Sequence, residues 1–145
     1  MNQDTLVATA RGLFDAFNAR DLSRWERSLA PGFIADYPCA PGLGRDAARA
    51  YNAPFLDAFP DLRFTVQRTV VQGDTVVLEA TAEGTFGGVL QGPAGPIPPN
   101  GRRGSIRVVL IAEVRDGRLV REVTVWNQLD LFQQLGIIPG PEQAA

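Results

Sequence analysis

Apolar residues recur at helical spacing in the first part of the chain and at alternate positions afterwards. Leu6, Leu13, Phe14 and Phe17 fall on one face and predict an amphipathic helix over roughly residues 3–19. Asp21 reads as the N-cap of a short second helix carrying Leu22, Trp25 and Leu29, with Pro31-Gly32 ending it. Phe33 to Tyr37 is expected as a short extended piece, closed by a loop over Pro38–Gly44. Asp46 is expected to cap a third helix that runs through Ala50, Tyr51, Phe55 and Phe59 and stops before Pro60; Pro54 inside it predicts a kink or a break.

From Phe64 the period changes to alternation. Phe64–Gln72, Thr75–Glu83, Ser105–Arg115 and Arg118–Trp126 read as four strands. Gly73-Asp74 and Asp116-Gly117 supply hairpin turns, the second with a strong type I′ signal. Gly84–Gly104, with Pro93, Pro96, Pro98 and Pro99, reads as one long loop, and such loops inside compact domains are usually functional or mobile. A last short helix, Gln128–Leu135, is ended by Gly136, and the tail from about residue 137 is expected to be loose. Helices first and an antiparallel meander second predict an α+β fold, with the helices on one face of a strongly curved sheet and an apolar cavity between them. The 145 residues fit one domain, 1–145.

Composition narrows the chemistry. There is no histidine, all 14 basic residues are arginine, and Cys39 is the one cysteine beside 16 carboxylates. An imidazole base, a Schiff-base amine, a His-paired nucleophile and most zinc sites are thereby excluded, so proton transfer falls to Asp or Glu, and no cofactor or metal is expected. A net charge of −2 with scattered arginines gives no footprint for nucleic acid. The longest apolar run, Val108 to Ala112, is far too short for a membrane span, and the start of the chain, with Asp4, does not read as a signal peptide. A cytoplasmic location fits the single thiol.

Most of the acids have local roles. Asp21, Asp46, Asp61, Asp74 and Asp116 read as caps or turn residues. Asp15, Glu26 and Asp57 lie on helix faces, and Asp4 and Glu142 near the ends of the chain. Glu79 and Glu83 share a polar strand face with Thr75 and Thr81, and Glu113 shares one with Arg107 and Arg115; all three read as solvated. Asp130 falls within the last helix as a capping partner.

Two candidates remain. Glu122 sits mid-strand with Val120, Thr124 and Trp126 on its face, where a cavity would desolvate it and raise its pKa toward the useful range; a solvent-facing charge or an ion pair with Arg107 or Arg121 is the bland alternative. Asp36 lies where an apolar segment gives way to a loop, either as a base at a cavity edge or as a simple turn-initiating Asp. Asn127 precedes the last helix, with Asp130 three residues on, which is N-cap geometry. Tyr51, Phe55 and Phe59 form one helix face, core by default and pocket lining by extension.

Three segments, LFDAFNARD (Leu13–Asp21) with LAPGFIADYP (Leu29–Pro38), AFPDLRFTVQRTVVQGDTVV (Ala58–Val77) and DGRLVREVTVWNQLDLFQQLGIIP (Asp116–Pro139), resemble the SnoaL-like polyketide cyclase (ester cyclase) family of the nuclear transport factor 2-like superfamily. The resemblance implies a cone-shaped, cystatin-like curved antiparallel sheet packed by N-terminal helices, often in homodimers. It also implies cofactor-independent acid/base chemistry on a hydrophobic polyketide-like substrate in secondary metabolism: ring closure by intramolecular aldol reaction, or a related isomerisation or hydrolysis. Glu122 falls where the family often places a histidine or acid, Asp36 and Phe86 where histidine is common, and Asn127 where Asp is usual. On this reading Glu122 and Asp36 are catalytic, and Tyr37, Tyr51, Phe55, Phe59, Phe86, Thr124, Trp126 and Asn127 bind substrate. A Trp126 N–H, a tyrosine hydroxyl or the Asn127 amide would serve an enolate oxygen. The alternative is a non-catalytic small-molecule-binding or interaction domain that keeps the cone.

Overall fold

The computed structural model describes residues 2–92 and 94–140; Pro93, Glu142 and the last residues of the tail lie outside them. Helix α1 (Gln3–Asn18) starts where Asn2 accepts a hydrogen bond from the Thr5 N–H, and it buries Leu6, Ala10, Leu13, Phe14 and Phe17 along one face. Asp21 accepts from the Arg24 N–H and caps α2 (Leu22–Arg27), which is shorter than its spacing predicts. Leu29 is not helical but begins β1 (Leu29–Tyr37). It pairs with Leu119 in a parallel ladder, and the Ser28 carbonyl accepts the Leu119 N–H at 2.9 Å, so long-range pairing overrides another helical turn. Pro31 and Gly32 therefore do not end a helix; they lie exposed between two paired stretches of β1.

The expected loop over Pro38–Gly44 is a tight hairpin. Cys39 takes φ 62° at its turn, and β2 (Ala40–Leu43) pairs back on β1 as an edge strand, where Pro41 is tolerated. Helix α3 (Arg45–Ala58) is capped by Gly44 rather than by Asp46, which sits in the first turn where its charge favours the helix dipole. Pro54 does not break it: the ring lacks an N–H for the carbonyl of Ala50, but Ala50 is exposed and water can serve that group.

The alternating segments form β3 (Arg63–Gln72), β4 (Thr75–Thr85), β7 (Arg103–Arg115) and β8 (Arg118–Trp126). Asp116 and Gly117 have φ 52° and 76°, the left-handed pair that a type I′ turn requires. The Gly/Pro-rich stretch is not one loop. It extends β4 and β7 and carries a small hairpin of β5 (Leu90–Gly92) and β6 (Gly95–Ile97).

The main sheet runs β2-β1-β8-β7-β4-β3. It is mixed, not wholly antiparallel, because β1 pairs parallel with β8. The chain between these two strands includes α3 and most of the meander, so it is long enough for the crossover that parallel pairing needs. Val76, Leu78, Ala80 and Ala82 of β4 and Val108, Leu110, Ala112 and Val114 of β7 turn inward against α1. A second cluster of Phe59, Phe86, Leu90, Leu131 and Leu135 joins the small hairpin to α4 (Gln128–Gln134). Ile137 packs on this cluster and donates to the Phe132 carbonyl at 2.9 Å. No helix among the described residues is long and apolar enough to cross a membrane.

Candidate active site

A cavity of about 100 Å³ lies between the concave sheet face and the helices. α1 contributes Phe14 and Phe17, α3 contributes Tyr51, Asn52 and Phe55, and the strands contribute Tyr37, Phe64, Glu122, Thr124 and Trp126. The wall is an aromatic chain: Tyr37 stacks on Tyr51 at 4.6 Å, Tyr51 meets Phe55 at 5.6 Å, and Phe55 meets Trp126 edge-on at 5.6 Å. Tyr51, Phe55 and Phe59 all line the space. Phe14, Phe17 and Phe64 were hidden from the sequence reading because a helix or strand face toward a cavity carries the same apolar pattern as one toward a packed core.

Glu122 faces this cavity in alternation with Thr124 and Trp126, just beyond a strand irregularity. On β8 both Leu119 and Glu122 are buried, three positions apart, which strict alternation forbids. The β7 partners step from Arg121 opposite Glu113 to Leu119 opposite Val114, leaving Val120 as the extra residue of a bulge. The bulge turns Leu119 into the core and still aims Glu122 inward. It also means that Val120 does not share Glu122's face by simple alternation.

Glu122 is 3% exposed. Tyr37 donates its hydroxyl to Oε1 at 3.1 Å, and Thr124 donates to Oε2 at 2.5 Å. No arginine lines the cavity among the described residues. Burial pushes the carboxyl up to about 7, against the opposing effect of the Thr124 and Tyr37 hydrogen bonds. Burial, and then the Glu122 charge, hold the Tyr37 phenol far above its ordinary range, so it acts as a donor. Tyr51 is pushed up to about 12, chiefly by burial, and its hydroxyl donates to the Pro38 carbonyl at 3.3 Å. Glu122, unlike the two phenols, can therefore take up and release a proton near neutrality.

Three sequence-predicted residues are placed elsewhere. Asp36 points to the outer face, because Phe33, Ala35 and Tyr37 take the inward positions of β1. It accepts from Arg121 at 2.8 Å and from the Gly42 N–H at 2.7 Å. Phe86 is fully buried against Phe59 in the second cluster, behind the cavity wall. Asn127 caps α4, its side chain accepting the Asp130 N–H at 2.9 Å. Glu79, expected in solvent, is ion-paired with Arg68 and Arg107 on the outer face. Glu83 pairs with Arg103 and reaches the edge of the cavity.

Asn52 was missed. Its Nδ2 donates to the Tyr37 hydroxyl at 3.0 Å and to the Ala48 carbonyl at 2.9 Å. Its signal in the sequence was slight: the one amide in α3, one position after Tyr51. Among the described residues, no group of three or more Asp, Glu or Cys side chains comes together to hold a metal ion.

A family model for SnoaL-like polyketide cyclases matches residues 8–135. The chain belongs to the SnoaL-like polyketide cyclase family. Its fold is shared with AclR of Streptomyces galilaeus, assigned as a hydroxylase, at 25% identity and TM-score 0.85 over 96% of this chain and 85% of that one. IdmH of Streptomyces antibioticus, assigned as a polyketide cyclase, is 28% identical with TM-score 0.79, covering 93% of this chain and 99% of its own. A protein from Kribbella flavida assigned as a ketosteroid isomerase shares the fold at 21% identity and TM-score 0.63, over 86% and 79% of the two chains. No curated protein matches the chain by sequence. Membership of this family supports an enzyme in general terms.

Proposed function

We propose that the protein is a cofactor-independent acid/base enzyme acting on a neutral, hydrophobic, polyketide-like substrate, with Glu122 as the group that takes and returns the proton. The observation that carries this reading is a buried carboxylate in an aromatic cavity, held by two hydroxyl donors and no cation, while Glu83 at the cavity edge is paired with Arg103. An anionic substrate would meet the Glu122 charge with nothing to offset it, so a neutral ester or ketone fits better. A single carboxylate with one proton slot suits reactions with no net proton change, which favours ring closure or isomerisation over hydrolysis.

In ring closure, ionised Glu122 removes a proton from the carbon beside a carbonyl and leaves an enolate. That carbon attacks a second carbonyl of the same molecule, a C–C bond forms, and the resulting alkoxide recovers the proton from Glu122. The enolate oxygen needs a donor. Tyr37 and Thr124 donate to Glu122, Tyr51 donates to Pro38, and Asn127 caps a helix. By elimination the Trp126 N–H, on the cavity wall, is assigned to that oxygen.

The reading includes a homodimer through the outer sheet face. Val70, Val77, Ile111 and Val123 form one cross-strand row there, and Val109 pairs with Val125 beside it. A two-fold axis would set this apolar row against its copy. The catalytic claim is tested with a neutral aromatic keto ester able to close a ring. The native protein should accelerate closure and Glu122→Gln should not; equal rates would leave the binding-domain alternative.

A further inference from the structure

The hydroxyl protons around Glu122 can be counted, and the count reaches outward to Asn52. The amide nitrogen of Asn52 carries two hydrogens and donates to both the Ala48 carbonyl at 2.9 Å and the Tyr37 oxygen at 3.0 Å. The reverse orientation of the amide would set its oxygen against the Ala48 carbonyl oxygen, acceptor against acceptor. Its orientation is therefore dictated by its own helix, since Ala48 lies four residues earlier in α3. Tyr37 has one proton. Because its oxygen receives the Asn52 N–H, that proton is directed to Glu122 Oε1.

We propose that Asn52 is a positioning residue, which locks the Tyr37 hydroxyl as a donor to Glu122 and so sets how readily Glu122 gives up its proton. The inference rests on the reading of Glu122 as the proton carrier. A hydroxyl that accepts a hydrogen bond becomes a stronger donor through polarisation, so Asn52 acts on Glu122 without touching it.

The groups facing Glu122 from the surrounding elements leave little else to do this. β1 contributes Tyr37, and α3 contributes Tyr51, with Cys39 beside Tyr51. β8 contributes Thr124, and α1 contributes the apolar Phe14 and Phe17. β7 places Ala112 opposite Glu122. The charges of Glu83 and Arg103 pair with each other at the edge of the cavity.

The test follows the Glu122 carboxyl carbon by NMR across pH in the full chain, with Glu122→Gln identifying its signal. Asn52→Leu should raise the Glu122 midpoint by about half a pH unit, and Tyr37→Phe by about one unit. The double variant should titrate like Tyr37→Phe alone, because Asn52 acts only through that hydroxyl. Asn52→Ala, which adds no bulk, takes the place of Asn52→Leu if the latter does not fold. An unchanged midpoint in the Asn52 variants, or shifts that add in the double variant, would overturn the proposal. The two readings fail separately. A moved midpoint with full turnover in Glu122→Gln would sink the catalytic reading alone, and a fixed midpoint with a dead Glu122→Gln would sink the role of Asn52 alone.

Discussion

Asp36 and Glu122 are one register step apart on neighbouring strands, yet they occupy different chemical worlds. Ala35 pairs with Glu122 and Asp36 pairs with Val123. Alternation then sends Asp36 to the outer face and Glu122 into the cavity. On the outside, the Arg121 guanidinium, the Gly42 N–H and solvent satisfy the Asp36 charge. On the inside, the Glu122 charge has two hydroxyl groups and an aromatic wall. Strand parity, more than residue type or distance along the chain, decides which carboxylate can work as a base.

Turnover should separate the two most sharply. Glu122→Gln keeps size and one acceptor oxygen but removes the proton acceptor, and general-base contributions of this kind are about 10²–10⁴-fold. Asp36→Asn should change kcat by less than about twofold, since its contacts lie on the far side of the sheet. In the native protein kcat/KM should rise with pH through about 7, where Glu122 ionises. Steady-state rates of the two amide variants check this directly. A loss in Asp36→Asn comparable to that in Glu122→Gln would break the comparison.

That contrast also marks how far the sequence could be read. The meander was legible because Val76, Leu78, Ala80 and Ala82 alternate cleanly with polar neighbours, and Asp116-Gly117 has few other uses than a tight hairpin. Glu122 was legible as a charge among strand residues that otherwise read as half-buried. Asp36 was misplaced although Phe33, Ala35 and Tyr37 already carried the parity that sends it outward; the segment was read as a piece ending in a loop, not as a strand with two faces. What could not be read was anything that depends on a partner far along the chain. Leu29 joins Leu119, Phe86 packs on Phe59, and Asn52 meets Tyr37 only after α3 folds over β1. Neither periodicity nor capping signals encode those meetings.

Stability against pH gives the next largest effect. Glu122 is raised from 4.5 to about 7 on folding, so the folded state binds its proton more tightly. Its favourable contribution is full below about 4.5, falls as pH rises to about 7, and is level above that. Glu122→Gln carries no such dependence. The variant should gain on the native protein by roughly 3 kcal/mol across that window, as measured by urea denaturation at several pH values. Asp61 runs the other way: the Thr85 N–H lowers its carboxyl, so its contribution is lost as pH falls, but this acts on both proteins and cancels in the difference. A flat difference would mean that Glu122 is hydrated in solution.

The smallest effect belongs to the outer carboxylate. Asp36 and Arg121 pair at 2.8 Å, with side chains 32% and 49% exposed. Water screens such a pair, and ordering two side chains opposes it, so a double-mutant cycle of Asp36→Asn and Arg121→Gln should give a coupling of about 0–1 kcal/mol. Salt should weaken that coupling further, because both charges lie within reach of the ions. The Glu122 midpoint should respond far less to salt, since no cation shares its cavity among the described residues. A coupling well above this range that persisted in molar salt would show that Asp36 is shielded on the outer face, and the proposed dimer through Val70, Val77, Ile111 and Val123 would then be the first surface to examine, because Val123 is the cross-strand partner of Asp36.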